Sequence, residues 1–236
     1  MRTLVTALTC AICVATCAMG SDKEITKEAE KLQKAAAVVN EIMGTPDKAI
    51  PQDLLDKAVC VGVIPSELKF ALGVGGSFGR GAVVCRRGGN GRWGAPSMFT
   101  AGGGSFGLQL GGQATDAVFI VMNAKGAQKL VQSSVKLGAD ASAAAGPVGR
   151  KAGGATDLQL HAEILSYSRS RGLFAGVSLE GTVLKQDDDA NQRLYGRTVL
   201  PKEILFGRLT VPRAARPLDA ALSKYSPRGG APFTKA

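Results

Sequence analysis

The chain has 236 residues, 45% hydrophobic and 20% charged, which suits one sizeable folded domain and excludes wholesale disorder. A formal net charge of +10 points to an anionic partner or a basic solubilising surface. A single histidine leaves too few ligands for an ordinary zinc site, and 5% aromatic residues argue against a large ring-lined pocket.

In chain order, residues 1–20, MRTLVTALTCAICVATCAMG, read as an export signal. Arg2 opens it, the apolar run from Leu4 to Cys17 is short for a membrane span, and Ala18 and Gly20 are small residues where a signal peptidase reads. A rival reading takes Val14-Ala15-Thr16-Cys17 as a lipobox with Cys17 lipidated; an uncleaved N-terminal anchor is a third. Beyond this segment only Cys60 and Cys85 remain, both in apolar runs. A disulfide and a pair of buried thiols both fit them.

Within an N-terminal region at 21–49, residues 22–43 predict an amphipathic helix. Ile25, Ala29, Leu32, Ala36, Val39 and Met43 recur at steps of three and four, and Gly44 and Pro46 end the run. PQDLLDKA predicts a second short helix with Pro51 in its first turn, and VCVGVIP a buried strand stopped at Pro65. From Leu68 the chain turns glycine-rich with period two: Gly73, Gly75, Ser77, Gly79 and Gly81 share one strand face. RRGGNGRWGAP reads as a hairpin connection, GGGSFGLQLGGQ as a second glycine strand, and DAVFIVMN as a core strand. Residues around 125–140 return to helical spacing. The stretch 201–236, with five prolines, reads as an extension that is partly disordered.

GGSFG occurs twice, at Gly75–Gly79 and Gly103–Gly107, and matches the G-x-S-x-G of a hydrolase elbow. Both serines are followed by strand-like sequence rather than a helix, and His161 alone would have to serve both copies. The glycines therefore read as packing positions where another backbone comes close, with no catalytic residue assigned. No phosphate-loop motif, cofactor motif or metal set accompanies them, and Asp187-Asp188-Asp189 lacks the rest of a calcium loop.

The charge is uneven: residues 21–67 carry −3, residues 68–186 carry +8. Arg80, Arg86, Arg87 and Arg92 crowd the first hairpin; Arg150 and Lys151, then Arg169 and Arg171, follow. Arginines suit phosphate groups. Without a recognition helix or aromatic stacking set, nucleic acid is excluded in favour of an anionic membrane face, with an ordinary basic surface as the bland alternative.

The blocks IPSELKFALGVGGSFGRGAVVCR, GRWGAPSMFT, GLQLGGQATDAVFIVMN, KLGADASAAAGPVGR, ILSYSRSRGLFAGVSLEGTVL and NQRLYG follow one another from Ile50 to Gly196. In order and content they resemble the SYLF domain family of lipid-binding and actin-regulating proteins. The resemblance implies a SYLF-type domain at 50–200 that binds phosphoinositide or other acidic phospholipid and, in eukaryotic members, actin. It implies a lipid contact made by the N-terminal helix with Arg80 of GRG, Arg150 of GPVGR and Arg171 of SRSRG. An exported chain meets neither actin nor cytosolic phosphoinositides, so the expected ligand is anionic lipid of a periplasm or cell envelope. An actin-binding or structural envelope protein is the alternative, and a serine hydrolase using Ser77 or Ser105 with His161 a more remote one. The expected fold is α+β: N-terminal helices packed on a glycine-rich, mainly antiparallel curved sheet or barrel-like sandwich.

Overall fold

The structure, a computed structural model, describes residues 27–45, 50–148, 161–170 and 173–228; of residues 68–75, 105–113, 170 and 173 it describes the backbone alone. The fold is built on a long antiparallel hairpin, β1 (Cys60–Arg86) against β2 (Trp93–Val121). Among the described residues seven strands form one sheet in the order β3-β7-β2-β5-β4, with β1 on β2 and β6 on β5. The short members are β3 (Ser134–Lys136), β4 (Ala143–Ala145), β5 (Ile164–Ser170), β6 (Leu173–Gly176) and β7 (Val183–Gln186). Among the described strand pairs only β4 on β5 is parallel, so the sheet is mainly antiparallel and, with its helices, α+β as expected.

The hairpin doubles back on itself. Cys60 and Cys85, at opposite ends of β1, are joined by a disulfide, and Arg86 N–H donates to the Val59 carbonyl at 2.8 Å. Glycine makes that crossing fit: a Cβ on Gly81 would overlap the Val63 carbonyl oxygen, and one on Gly79 would overlap the Ile64 side chain. The two GGSFG copies pair with each other, Gly75 with Ser105 and Ser77 with Gly103.

Pro65 does not stop β1. The register shifts between Ile64 and Glu67, so the proline occupies a bulge where no ladder donor is required. Ser66 takes a positive φ of 56° there, and its N–H donates to Asp116 Oδ1 at 2.9 Å.

Two apolar layers sit on the two faces of the sheet. On one face, Phe99, Ala101, Phe119, Val135, Leu184 and their neighbours form one core. On the other face Val84, Met98 and Val118 meet the helices. Helix α1 (27–44) buries Leu32, Ala35, Ala36, Val38, Val39 and Ile42 there, a wider stripe than the one expected; Ile25 lies outside the described residues. Helix α2 (Gln52–Lys57) follows Pro51 and buries Leu54 and Leu55.

A further expectation is corrected. The helix expected around 125–140 is only α3 (Ala124–Lys129), capped by Asn123 Oδ1 accepting from Gly126 N–H at 2.8 Å. Past it Val135 and Leu137 are buried while Ser134 and Lys136 are exposed, which is a strand's period of two. Gly138, at φ 86°, then turns the chain. The stretch after 200, read as a partly disordered extension, carries helices as far as Tyr225, and residues 229–236 lie outside the described residues. Helices α4 (Asp188–Tyr195), α5 (Pro201–Phe206) and α6 (Arg216–Tyr225) follow β7, and α6 buries Leu218, Ala221 and Leu222 in the helix-side core.

Candidate functional site

The expected basic residues fall into separate environments. Arg80 leaves β1 beside the start of α4, where Asp187 caps the helix by accepting from Ala190 N–H at 3.1 Å. Arg80 Nη2 and Nε reach Asp187 Oδ2 at 2.6 and 3.0 Å, and Nη2 stands 3.7 Å from Glu28 on α1. Glu28 is buried and also accepts from Arg193 Nη2 at 2.8 Å. Burial first, then Lys34 and Arg80, push the nearby Lys31 ammonium below its ordinary pKa. Arg80 is thus largely occupied in holding α1 and α4 to the hairpin.

Arg86 is 1% exposed and belongs to the interior. Its guanidinium lies over the Trp93 ring at 3.8 Å, and Nε donates to the Ala58 carbonyl at 3.0 Å. Nη2 donates to Ser226 Oγ at 2.6 Å; the Ser226 hydroxyl in turn bonds Asp56, and Trp93 Nε1 donates to the Ser226 carbonyl at 2.9 Å. Burial pushes the guanidinium down to about 10, with Asp56 opposing, so it stays charged at neutral pH. This clamp joins α2, the hairpin and the end of α6. It removes Arg86 from any surface site and accounts for the ordered C-terminal helices.

Arg87 and Arg92 flank the hairpin tip, where Gly88 and Gly89 take φ of 64° and 85°. Both arginines are exposed, and Arg87 Nη2 donates to the Leu209 carbonyl at 2.9 Å. That bond draws in the end of α5, so a cleft forms between Arg87, Gly88, Phe206, Gly207 and Arg208. Phe206 is 40% exposed and Arg208 is exposed. Asp219 on α6 is the nearby acid: burial raises its pKa, Arg87 and Arg92 lower it, and the net shift is upward. A cluster of arginines around an exposed phenylalanine can hold phosphate groups and enter an apolar boundary.

Arg169 pairs with Asp116 at 3.3 Å and with Glu41 near the end of α1, and stands 5.8 Å over Phe174. Arg150, Lys151, Arg171 and Cys17 lie outside the described residues. The placed arginines therefore do not converge on one face. Sequence reasoning missed Arg208 and Phe206, although Phe206-Gly207-Arg208 repeats the Phe78-Gly79-Arg80 of the hairpin.

The apolar face of α1 is spent on the core, which leaves no free stripe on its described part for a membrane. Ser77 and Ser105 lie inside strands, without the strand-to-helix turn of a nucleophile elbow. Among the described residues no group of three or more His, Cys, Asp or Glu side chains is placed to hold a metal, and no helix is long and apolar enough to cross a membrane.

Residues 102–225 match the family model Ysc84, described as Las17-binding protein actin regulator. An SH3 domain-containing protein of Schizosaccharomyces pombe is 38% identical over 205 residues, which is 85% of this chain and 47% of that protein. LAS seventeen-binding protein 3 of Saccharomyces cerevisiae is 36% identical over 216 residues, 88% of this chain and 46% of the relative. SH3 domain-containing YSC84-like protein 1 of Bos taurus is 32% identical over 205 residues, 86% of this chain and 60% of that protein. The chain thus spans about half the length of the curated relatives it matches. These names describe binding and regulation rather than catalysis. The distinctive blocks of the glycine hairpin and the match over more than half the chain lead to one conclusion: the chain belongs to the Ysc84 (SYLF) family.

Proposed function

We propose that the chain is a non-catalytic module that docks on anionic phospholipid, including phosphoinositide-like headgroups, at a membrane of the cell envelope. The observation that carries this reading is the hairpin tip, where exposed Arg87 and Arg208 line a cleft with the exposed Phe206 and exposed Arg92 flanks the same tip. Each such cation near an anionic surface contributes about 1 kcal/mol, and salt screens it. An exported location is supported by the reading of residues 1–20 and by the Cys60–Cys85 disulfide, which suits an oxidising compartment. The full chain should sediment with phosphatidylcholine vesicles containing phosphatidylserine, less so as salt rises. Replacing Arg87, Arg92 and Arg208 together by Gln should weaken that binding by roughly a hundredfold. Equal sedimentation with neutral vesicles at every salt concentration would refute the electrostatic reading.

The family description favours a second reading, direct regulation of actin. Co-sedimentation with filamentous actin separates the two, because vesicle binding through the tip predicts no actin in the complex.

A further inference from the structure

Paired residues on neighbouring strands project to the same side of a sheet. Across β1, β2, β7 and β3 one such row is Phe78, Gly102, Val183 and Lys136, and the next contains Arg80, Thr100 and Lys185. Two residues further along the strands, Ala82 and Met98 on this same face are buried under the helices. The helical cover ends at Arg80 and Thr100, and the row beyond is open: Phe78 is 49% exposed and Val183 37%.

The glycines of this face differ from those at the crossing. A Cβ on Gly102 would meet only the Ser77 carbonyl oxygen, at 3.8 Å, and a Cβ on Gly104 would meet nothing within 4 Å. Packing does not require glycine there, yet the strip between Phe78 and Val183 is bare backbone. Lys136 and Lys185 are exposed beside it, and among the described residues neither ammonium has a carboxylate within ion-pair distance. The nearby Asp140 carboxylate is turned to the backbone N–H of Lys136, at 2.7 Å.

A glycine strip carrying two apolar side chains and, among the described residues, two ammonium groups without a carboxylate partner complements a surface that is anionic outside and apolar a few ångströms deeper. The geometry points to this face as a second membrane contact, in which Phe78 and Val183 enter the acyl boundary while Lys136 and Lys185 meet phosphates. It rests on the anionic-membrane reading above. Phe78 lies within β1 and Arg87 just past its end, nine residues later and separated by at most roughly 30 Å of strand, so the face and the tip are altered by separate variants.

The native chain has one tryptophan, Trp93, and it is buried, so a Phe78→Trp variant of the full chain reports on the face. Its added emission should shift to the blue with phosphatidylserine-containing vesicles and stay unshifted with phosphatidylcholine alone. Lys136→Gln with Lys185→Gln should weaken sedimentation about twentyfold. Phe78→Ser with Val183→Ser should weaken it by a similar factor that salt does not change, with an unaltered melting temperature. No emission shift, together with wild-type binding by both double variants, overturns this inference while the membrane reading stands. Should the wild-type chain bind no anionic vesicle, both fall. If Phe78→Ser with Val183→Ser instead converts a dimer into a monomer, the face is a self-interface and the inference is overturned.

Discussion

At the scale of single residues, identical glycines serve different ends, and only their surroundings tell which. Gly81 faces the Val63 backbone across the folded hairpin, whereas Gly104 faces open space, although both lie in glycine-rich strands of the same composition. Gly81→Val must push apart the two ends of β1, which a disulfide joins, at a cost of about 3 kcal/mol or more. Gly104→Val should change stability by less than about 0.5 kcal/mol, because a β-branched residue suits a strand and nothing is displaced. Urea denaturation of both variants checks the contrast, and equal costs would refute the crossing as the reason for Gly81. The sequence showed that one strand face lacked side chains; it did not show which stretch would be crossed. Arg86 was misread for a related reason. It shares the face of Ala82 and Val84, both buried, so the period of two already pointed inward against the charge.

At the scale of elements, α1, α2, the glycine hairpin and the DAVFIVMN strand were legible because each carries its own periodicity and stop signals. The C-terminal helices were not, because their reason to dock lies elsewhere in the chain. Ser226 is held by Arg86 and Trp93, more than a hundred residues earlier in sequence. Replacing Arg86 with Met keeps the volume but removes the guanidinium's hydrogen bonds to the Ala58, Leu55 and Ser226 carbonyls and to the Ser226 hydroxyl. The expected loss is about 3–5 kcal/mol. Ser226→Ala, which removes one hydroxyl from the same clamp, should cost about 1 kcal/mol. Thermal melts read both. If the two variants melt with the wild type, α6 is an appendage after all and the clamp is incidental.

At the scale of the whole molecule, the candidate site was only partly legible, because charge counted along a sequence says nothing about which guanidinium is already paired. Arg80 and Arg169 hold α1 to the sheet, Arg86 holds α6, and the cations left exposed include Arg208, Lys136 and Lys185, which the run of hairpin arginines did not suggest. What the whole fold does share is one closure: the Cys60–Cys85 bond ties the start of the hairpin to its tip, across a sequence separation of 25. A loop of that length, closed in the unfolded chain, contributes about 3.5 kcal/mol in the chain-entropy model. For a domain of this size that corresponds to roughly 10 °C in melting temperature. Both sulfurs are buried, so dithiothreitol should act on the folded chain slowly, through opening of the hairpin, and a sample refolded in reductant should melt lower by that amount. Cys60→Ala with Cys85→Ala should match the reduced sample to within the cost of two small core cavities. The same bond bears on where the chain works: protein recovered from an oxidising compartment should resist alkylation at both positions under denaturing conditions. Ready alkylation of Cys60 and Cys85 in that material would remove the structural support for an exported location.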